Sequence, residues 1–264
     1  MIWKFKRHNR RVYPRNPLDT VVAQLKFQPI LRIGAGGSIA DYQDLIRSRF
    51  PGFGEGEIRS LTVGPDTNVA SKSEKVFHFL RDTDKCQVQL SADNVLVETK
   101  DHKNRDDLLA DLEVVVGALE KVYSPIQPTR FGVRYINVVK PSVISRDLDR
   151  EVSWRSIISE DYLEMPASVA DLKQTVFANQ ITSPMAEGAL TLRYGIPPVR
   201  DGGVSSFNFD IDRYVESPID LAKIDRILIQ LTDDIFSLFN TLPGTDLLDW
   251  MSNQEILPQS GDVH

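Results

Sequence analysis

The chain lacks most of the features that would announce a chemistry. Cys86 is the one cysteine in 264 residues, so no intrachain disulfide can form. That fits a reducing compartment and sets a cytoplasmic location as the expectation. No apolar run approaches the roughly 18–20 residues of a membrane span, and the charged N-terminus has no apolar core of a secretory signal. No membrane contact is therefore expected. Histidine is scarce: His8, His78, His102 and His264. None stands at ligand spacing from another histidine or from Cys86, which argues against zinc. Cys86 lies in strand alternation and reads as a packing residue. The Gly-x-Ser-x-Gly elbow of a serine hydrolase is missing as well. No cofactor, no metal and no catalytic residue set is predicted.

The nearest approach to a catalytic motif is "LRIGAGGSIADYQD" at 31–44. A dinucleotide fingerprint would use Gly34 and Gly36 but meets Ile39 where its third glycine allows close helix–strand approach. A phosphate loop would need a lysine after Gly37, and Ser38 stands there. The segment reads better as punctuation, with Ser38 as a helix N-cap and Asp41 three residues on. Asn104 with Asp107, and Ser217 with Asp220, offer the same device at two further helix starts. In the latter, Pro218 takes the first helical position.

Charge is present but unevenly spread. Residues 1–15 carry Lys4, Lys6, Arg7, Arg10, Arg11 and Arg15 with no acid, whereas the whole chain has a net charge of −6. This basic N-terminal arm suits either a nucleic-acid backbone or the acidic body of the protein itself.

Hydrophobic periodicity supplies the rest. A strand is predicted over 20–33, a helix from Ile39 to Phe50, a loop over 51–57, and strands near 57–63, 75–81, 85–91 and 94–100. Leu108, Leu112, Val115, Leu119 and Val122 share one face of a helix over 105–123. "TRFGVRYINVV" is a strand, with Phe131, Val133, Tyr135 and Val139 on one side. Residues 141–168 read as an irregular connection between a first half, 16–140, and a second half, 169–250, with a polar tail at 251–264. Strands near 169–180, 187–195 and 205–215 and a helix over 218–242 fill the second half. Each half offers a hairpin and a long packed helix. The expectation is an α+β fold of two pseudo-repeated antiparallel-sheet halves.

Two stretches invite functional readings. "FNFDIDRY" puts Asp210 and Asp212 on one side of a strand, a spacing that can hold a divalent cation with a third ligand such as Glu98 or Glu187. Alternatively these acids pair with Arg134 or Arg193 as a cross-strand charge ladder. Leu221, Ile224, Leu228, Leu231, Ile235, Leu238 and Leu242 form an a/d-like seam that fits a second copy or the protein's own sheet. "RFGVRYIN" departs from the glycine–aromatic order of an RNA-recognition strand.

"YPRNPLDTVVAQLKF", "RFGVRYIN", "FNFDIDRY" and "DDIFSLFNTL" with Trp250 together resemble a sporadically distributed prokaryotic family of uncharacterised proteins of about this length. The resemblance spans Tyr13 to Trp250 and marks Gly132, Arg134, Tyr135, Asn137, Asp210, Asp212 and Tyr214 as motif residues. It implies binding roles for the polar ones and, through the patchy distribution, a toxin–antitoxin or phage-defence setting. The leading expectation is a non-enzymatic protein-interaction module with an unknown protein partner, including a homodimer through the 221–242 helix. Two alternatives stand beside it. One is nucleic-acid binding by Lys4, Lys6, Arg7, Arg10, Arg11 and Arg15. The other is a metal-dependent enzyme acting on nucleotides through Asp210 and Asp212.

Overall fold

The computed structural model describes residues 5–63, 69–125, 127–169, 171–172, 175–199 and 203–253. Among the described residues nine strands form one antiparallel sheet. They are β1 Leu18–Lys26, β2 Gly52–Val63, β3 Val69–Arg81, β4 Cys86–Leu90, β5 Asn94–Thr99, β6 Arg130–Val139, β7 Phe177–Pro184, β8 Ala189–Ile196 and β9 Phe207–Glu216. Their order is β2-β3-β4-β5-β1-β6-β9-β8-β7, so the sheet runs unbroken through the β1–β6 pair. The α+β class and the antiparallel sheet are as expected. Residues 141–168 do not separate two sheets.

Alternation decides which side of the sheet is covered. Val21, Ala23 and Leu25 of β1, Val95 and Val97 of β5, Phe131 and Val133 of β6, and Phe207, Phe209 and Ile211 of β9 are buried on one face. Side chains two apart on a strand share a face, so these rows make a continuous apolar floor. Two long helices lie on it: α3 Arg105–Tyr123 and α7 Ile224–Phe239. α3 matches the predicted range. Asn104 caps it by accepting from the Asp107 N–H at 2.9 Å, and Ser124 in a left-handed conformation ends it before Pro125. Shorter helices complete the layer. These are α1 Leu31–Gly34, α2 Ile39–Ile46, α4 Pro141–Leu148, α5 Trp154–Ile157, α6 Glu164–Val169 and α8 Thr245–Ser252.

Several expectations need correction. The strand predicted to 33 stops at Lys26, because Pro29 and the one-turn helix α1 follow, with Ile33 turned into the core. Residues 52–57 are strand, not loop: they pair with Lys75–Leu80 of β3. Residues 141–168 are largely helical, since Pro141 occupies a first-turn position where its missing N–H costs nothing. The strand predicted over 169–180 instead occupies 177–184. The last helix begins at Ile224, after a 3₁₀ turn over Leu221–Lys223 that Asp220 caps, so Ser217 and Pro218 lie outside it.

The 31–44 segment is a turn. Ser38 has φ of +60° and makes no cap hydrogen bond, so the expected cap is not formed. Gly36 has φ of +75°, a region that favours glycine. The Gly37 carbonyl accepts from the Tyr123 hydroxyl at 3.0 Å, which ties the turn to the end of α3.

Candidate functional site

The motif residues divide between the two faces of the sheet. Arg134, Asp210, Asp212 and Tyr214 point to the face that carries no helix among the described residues. Tyr135 and Asn137 point to the helical face. The β6–β9 register sets Arg134 opposite Asp212 and Ile136 opposite Asp210. Arg134 reaches diagonally to make a bidentate pair with Asp210, Nε–Oδ1 2.8 Å and Nη2–Oδ2 2.7 Å. Arg193, directly opposite Asp210 on β8, adds a contact at 3.5 Å. Arg130 holds both oxygens of Asp212 at 3.2–3.3 Å and lies over the Tyr214 ring at 4.3 Å.

The pairing continues sideways. Gln24 accepts from Arg130, Gln180 accepts from Arg193, Gln87 donates to Glu98, and Thr182 bonds Thr191. These contacts form the charge ladder that the sequence allowed. Burial raises the pKa of Asp212, and the surrounding arginines oppose that rise. A shared cation finds no third carboxylate here. Glu98 lies three strands from Asp212 through Val22 and Arg134, about 14 Å at strand spacing. The Glu187 backbone carbonyl accepts from Arg213. Among the described residues no group of three His, Cys, Asp or Glu is placed to hold a metal ion.

The hydrophobic seam is spent inside the chain. Ile224, Leu228, Leu231, Ile235, Leu238 and Leu242 are all buried in the core, and Leu221 packs against it. Of the two fits the sequence allowed, a second copy or the protein's own sheet, the apolar stripe makes the second. On that same face Asp234 meets Arg213 of β9, Oδ2–Nε 3.0 Å, with side chains 3% and 1% exposed. α3 repeats the device. Buried Asp111 receives Arg81 at 2.7 Å and also Arg49, with the Cys86 thiol 3.8 Å away. Burial, reinforced by Asp111, pushes that thiol up to about 12.

The basic arm folds back onto α7. Arg7 pairs with Asp234 at 3.3 Å, the His8 N–H donates to Ser237, and Arg10 donates to Thr232. Tyr13 donates to Asn240 at 2.9 Å and lies under the Arg11 guanidinium at 4.2 Å. The Arg15 N–H donates to the Met251 carbonyl at 3.3 Å, and Lys6 is exposed. Lys4 lies outside the described residues.

Beneath the arm is a cavity of about 310 Å³ over the β1–β6 centre of the sheet, between α3 and α7. Arg10, Arg11, Lys103 and Arg105 line it against one acid, Asp106. Arg105 is paired with Asp233 at 2.8 Å. Arg10, Arg11 and Lys103 have no carboxylate partner among the described residues. Tyr13, Tyr135, Phe236 and Phe239 line it as well, with the Tyr13 ring under Arg11. At the floor Asn137, 4% exposed, donates its amide to the Phe209 carbonyl at 3.0 Å. Its carboxamide oxygen has no hydrogen-bond partner among the described residues. His102 meets the Tyr135 hydroxyl at 3.4 Å. Burial, with Arg10 nearby, holds the imidazole down at about 4, so it is neutral at pH 7. Burial also raises the Tyr135 phenol.

The sequence marked Tyr135, Asn137, Arg10 and Arg11 but missed His102, Lys103 and Arg105. His102 and Lys103 lie in the loop after β5 and Arg105 opens α3, and only the sheet order identifies their neighbours. In comparisons with protein-family models and with curated proteins, nothing matches this chain.

Proposed function

We propose that the protein is a non-enzymatic protein-interaction module that takes an extended segment of a partner protein as an added strand at β7. The observation that carries this reading is the chemistry of that edge. β7 ends the sheet, and its eight residues "FANQITSP" include no charged side chain. Ala178, Gln180, Ile181, Thr182 and Pro184 are exposed along it. Soluble proteins usually guard such edges with lysine, proline, bulges or covering loops, because an open row of N–H and C=O groups recruits another chain, and of these β7 itself carries only Pro184, at its last position. The other edge strand, β2, carries Glu55 and Glu57. Main-chain hydrogen bonds would supply affinity, and alternate side-chain positions would supply selectivity.

Supporting this reading, the carboxylates of the acidic strand are engaged by arginines and the α7 seam is consumed internally. The metal-dependent alternative loses its carboxylate pair. The nucleic-acid alternative loses one cation of its arm, Arg7, to a carboxylate of α7. The halves fit a structural pseudo-repeat, since β5 returns beside β1 and β9 returns beside β6. The resemblance suggests a partner drawn from a toxin–antitoxin or phage-defence module.

The test is cross-linking of the full chain in its native host, with cross-linked peptides mapped and compared with Ala178→Lys/Ile181→Lys. The expected result is a partner whose cross-links cluster on 177–184 and vanish in the double variant, with an unchanged circular dichroism spectrum. Cross-links centred elsewhere, or unaffected by the lysines, would overturn the reading. So would a wild-type dimer that the variant converts to monomer, because the occupant would then be a second copy.

A further inference from the structure

The cavity under the arm goes beyond strand addition, and its three kinds of wall specify a ligand. The cationic side carries Arg10, Arg11 and Lys103 without carboxylate partners, in a chain whose net charge is −6. Unmatched cations around a concave site attract anions and focus the field. The N-terminal turn of α3 opens on the same side, but Asn104 already takes the Asp107 N–H and Asp106 and Asp107 stand in that turn, so the cations come from Arg10, Arg11 and Lys103. The aromatic side chains offer flat apolar area for a planar ring. The floor holds a buried acceptor without a donor among the described residues, the Asn137 carboxamide oxygen. Leaving such a group unsatisfied is costly, so a ligand that brings an N–H to it gains specificity as well as affinity. Neutral His102 beside Tyr135 adds hydrogen-bonding capacity without adding charge. A volume of about 310 Å³ sits at the small end of small-molecule pockets.

We propose that this cavity binds a nucleoside monophosphate. The phosphate lies between Arg10 and Lys103, the base lies against the aromatic side chains, and a base N–H donates to Asn137. The arm then serves as one wall of the site, which gives its docking on α7 a purpose that strand addition at β7 does not need.

Isothermal titration of the full chain at low salt tests this, with AMP, GMP and CMP as probes and adenosine and inorganic phosphate as controls. At least one mononucleotide is expected to bind about tenfold or more tighter than either control, because each control offers half of the contacts. Lys103 is exposed, so Lys103→Glu leaves the fold intact, and it weakens that binding by about tenfold through loss of one charge-assisted contact. The Asn137 side-chain amide resonance shifts on saturation, which places the ligand in this cavity. No heat with any of the three at millimolar concentration would overturn the proposal. Phosphate alone binding as tightly, or indifference to Lys103→Glu, would overturn it too.

Discussion

Replacing Arg213 with methionine tests the physical logic of the whole helical face. The guanidinium is 1% exposed and donates from Nε to Asp234 at 3.0 Å. Its Nη1 donates to the carbonyls of Glu187 and Tyr214, each at 2.7 Å, and to that of Ala189 at 3.4 Å. Methionine fills similar volume but leaves Asp234, 3% exposed, with only Arg7, whose side chain is 75% exposed. Breaking a buried pair from one side costs about 3–5 kcal/mol. Orphaned carbonyls near the β7–β8 turn add about 1 kcal/mol, since water reaches part of that turn. The expected loss is therefore about 4–6 kcal/mol, a large part of a typical domain's stability. Asp234→Asn keeps the carbonyl contacts of Arg213 and one acceptor on residue 234, so it costs less, about 2–4 kcal/mol. Arg213→Met/Asp234→Asn removes both charges, and its cost falls below the sum of the single changes by about 2 kcal/mol or more. Urea unfolding at pH 7, followed by circular dichroism and tryptophan fluorescence, measures all three. Single variants that each cost under about 1 kcal/mol, or a strictly additive double variant, would refute the argument.

Three further outcomes follow from the same structure. His102 is held near 4, below its ordinary 6.5, so the neutral form belongs to the folded state. Its contribution is fully present above pH 6.5 and is lost as pH falls towards 4, by about 3 kcal/mol. His102→Gln should flatten the fall in unfolding free energy between pH 6.5 and 4.5, and an unchanged slope would reject this assignment. Deleting residues 1–12 removes the Arg7, His8 and Arg10 contacts with α7. The cost should be only about 1–2 kcal/mol, because Arg7 is mostly in water, and a thermal melt that collapses entirely would contradict that. The Cys86 thiol, 1% exposed and pushed up to about 12, should resist a disulfide exchange reagent at pH 8 until urea unfolds the chain. Prompt reaction of the native protein would contradict its burial.

Much of the fold is written in local pattern. The spacing of Leu108, Leu112, Val115 and Leu119 fixes α3, and Asn104 and Pro125 mark its ends. Alternation in β6 and β9 fixes which residues share a face, and it holds an unused signal at Arg213. That arginine falls on the buried row of Phe207, Phe209 and Ile211, as Asp234 falls on the buried row of Leu231, Ile235 and Leu238. A charge on an apolar row is a signal that a buried partner exists. The reading erred where local signals compete. Pro141 looked like a breaker but starts a helix, and Gly52, Gly54 and Gly56 looked like a loop but lie in β2, where pairing with β3 overrides their weak strand preference.

The sequence by itself determined the α+β class, the two-sided character of the strands, the long α3 helix and the possibility that arginines neutralise Asp210 and Asp212. These depend on periods of two and 3.6 residues, which are local. Only the tertiary structure decided that β1 and β6 join all nine strands into one sheet, that the arm lies on α7, and that the seam faces inward. It also brought Arg10, His102, Lys103, Tyr135 and Asn137 around one cavity. Those outcomes depend on contacts between residues up to about 230 positions apart, such as Arg7 with Asp234. No local period encodes such contacts, because they form only when distant apolar faces are buried together.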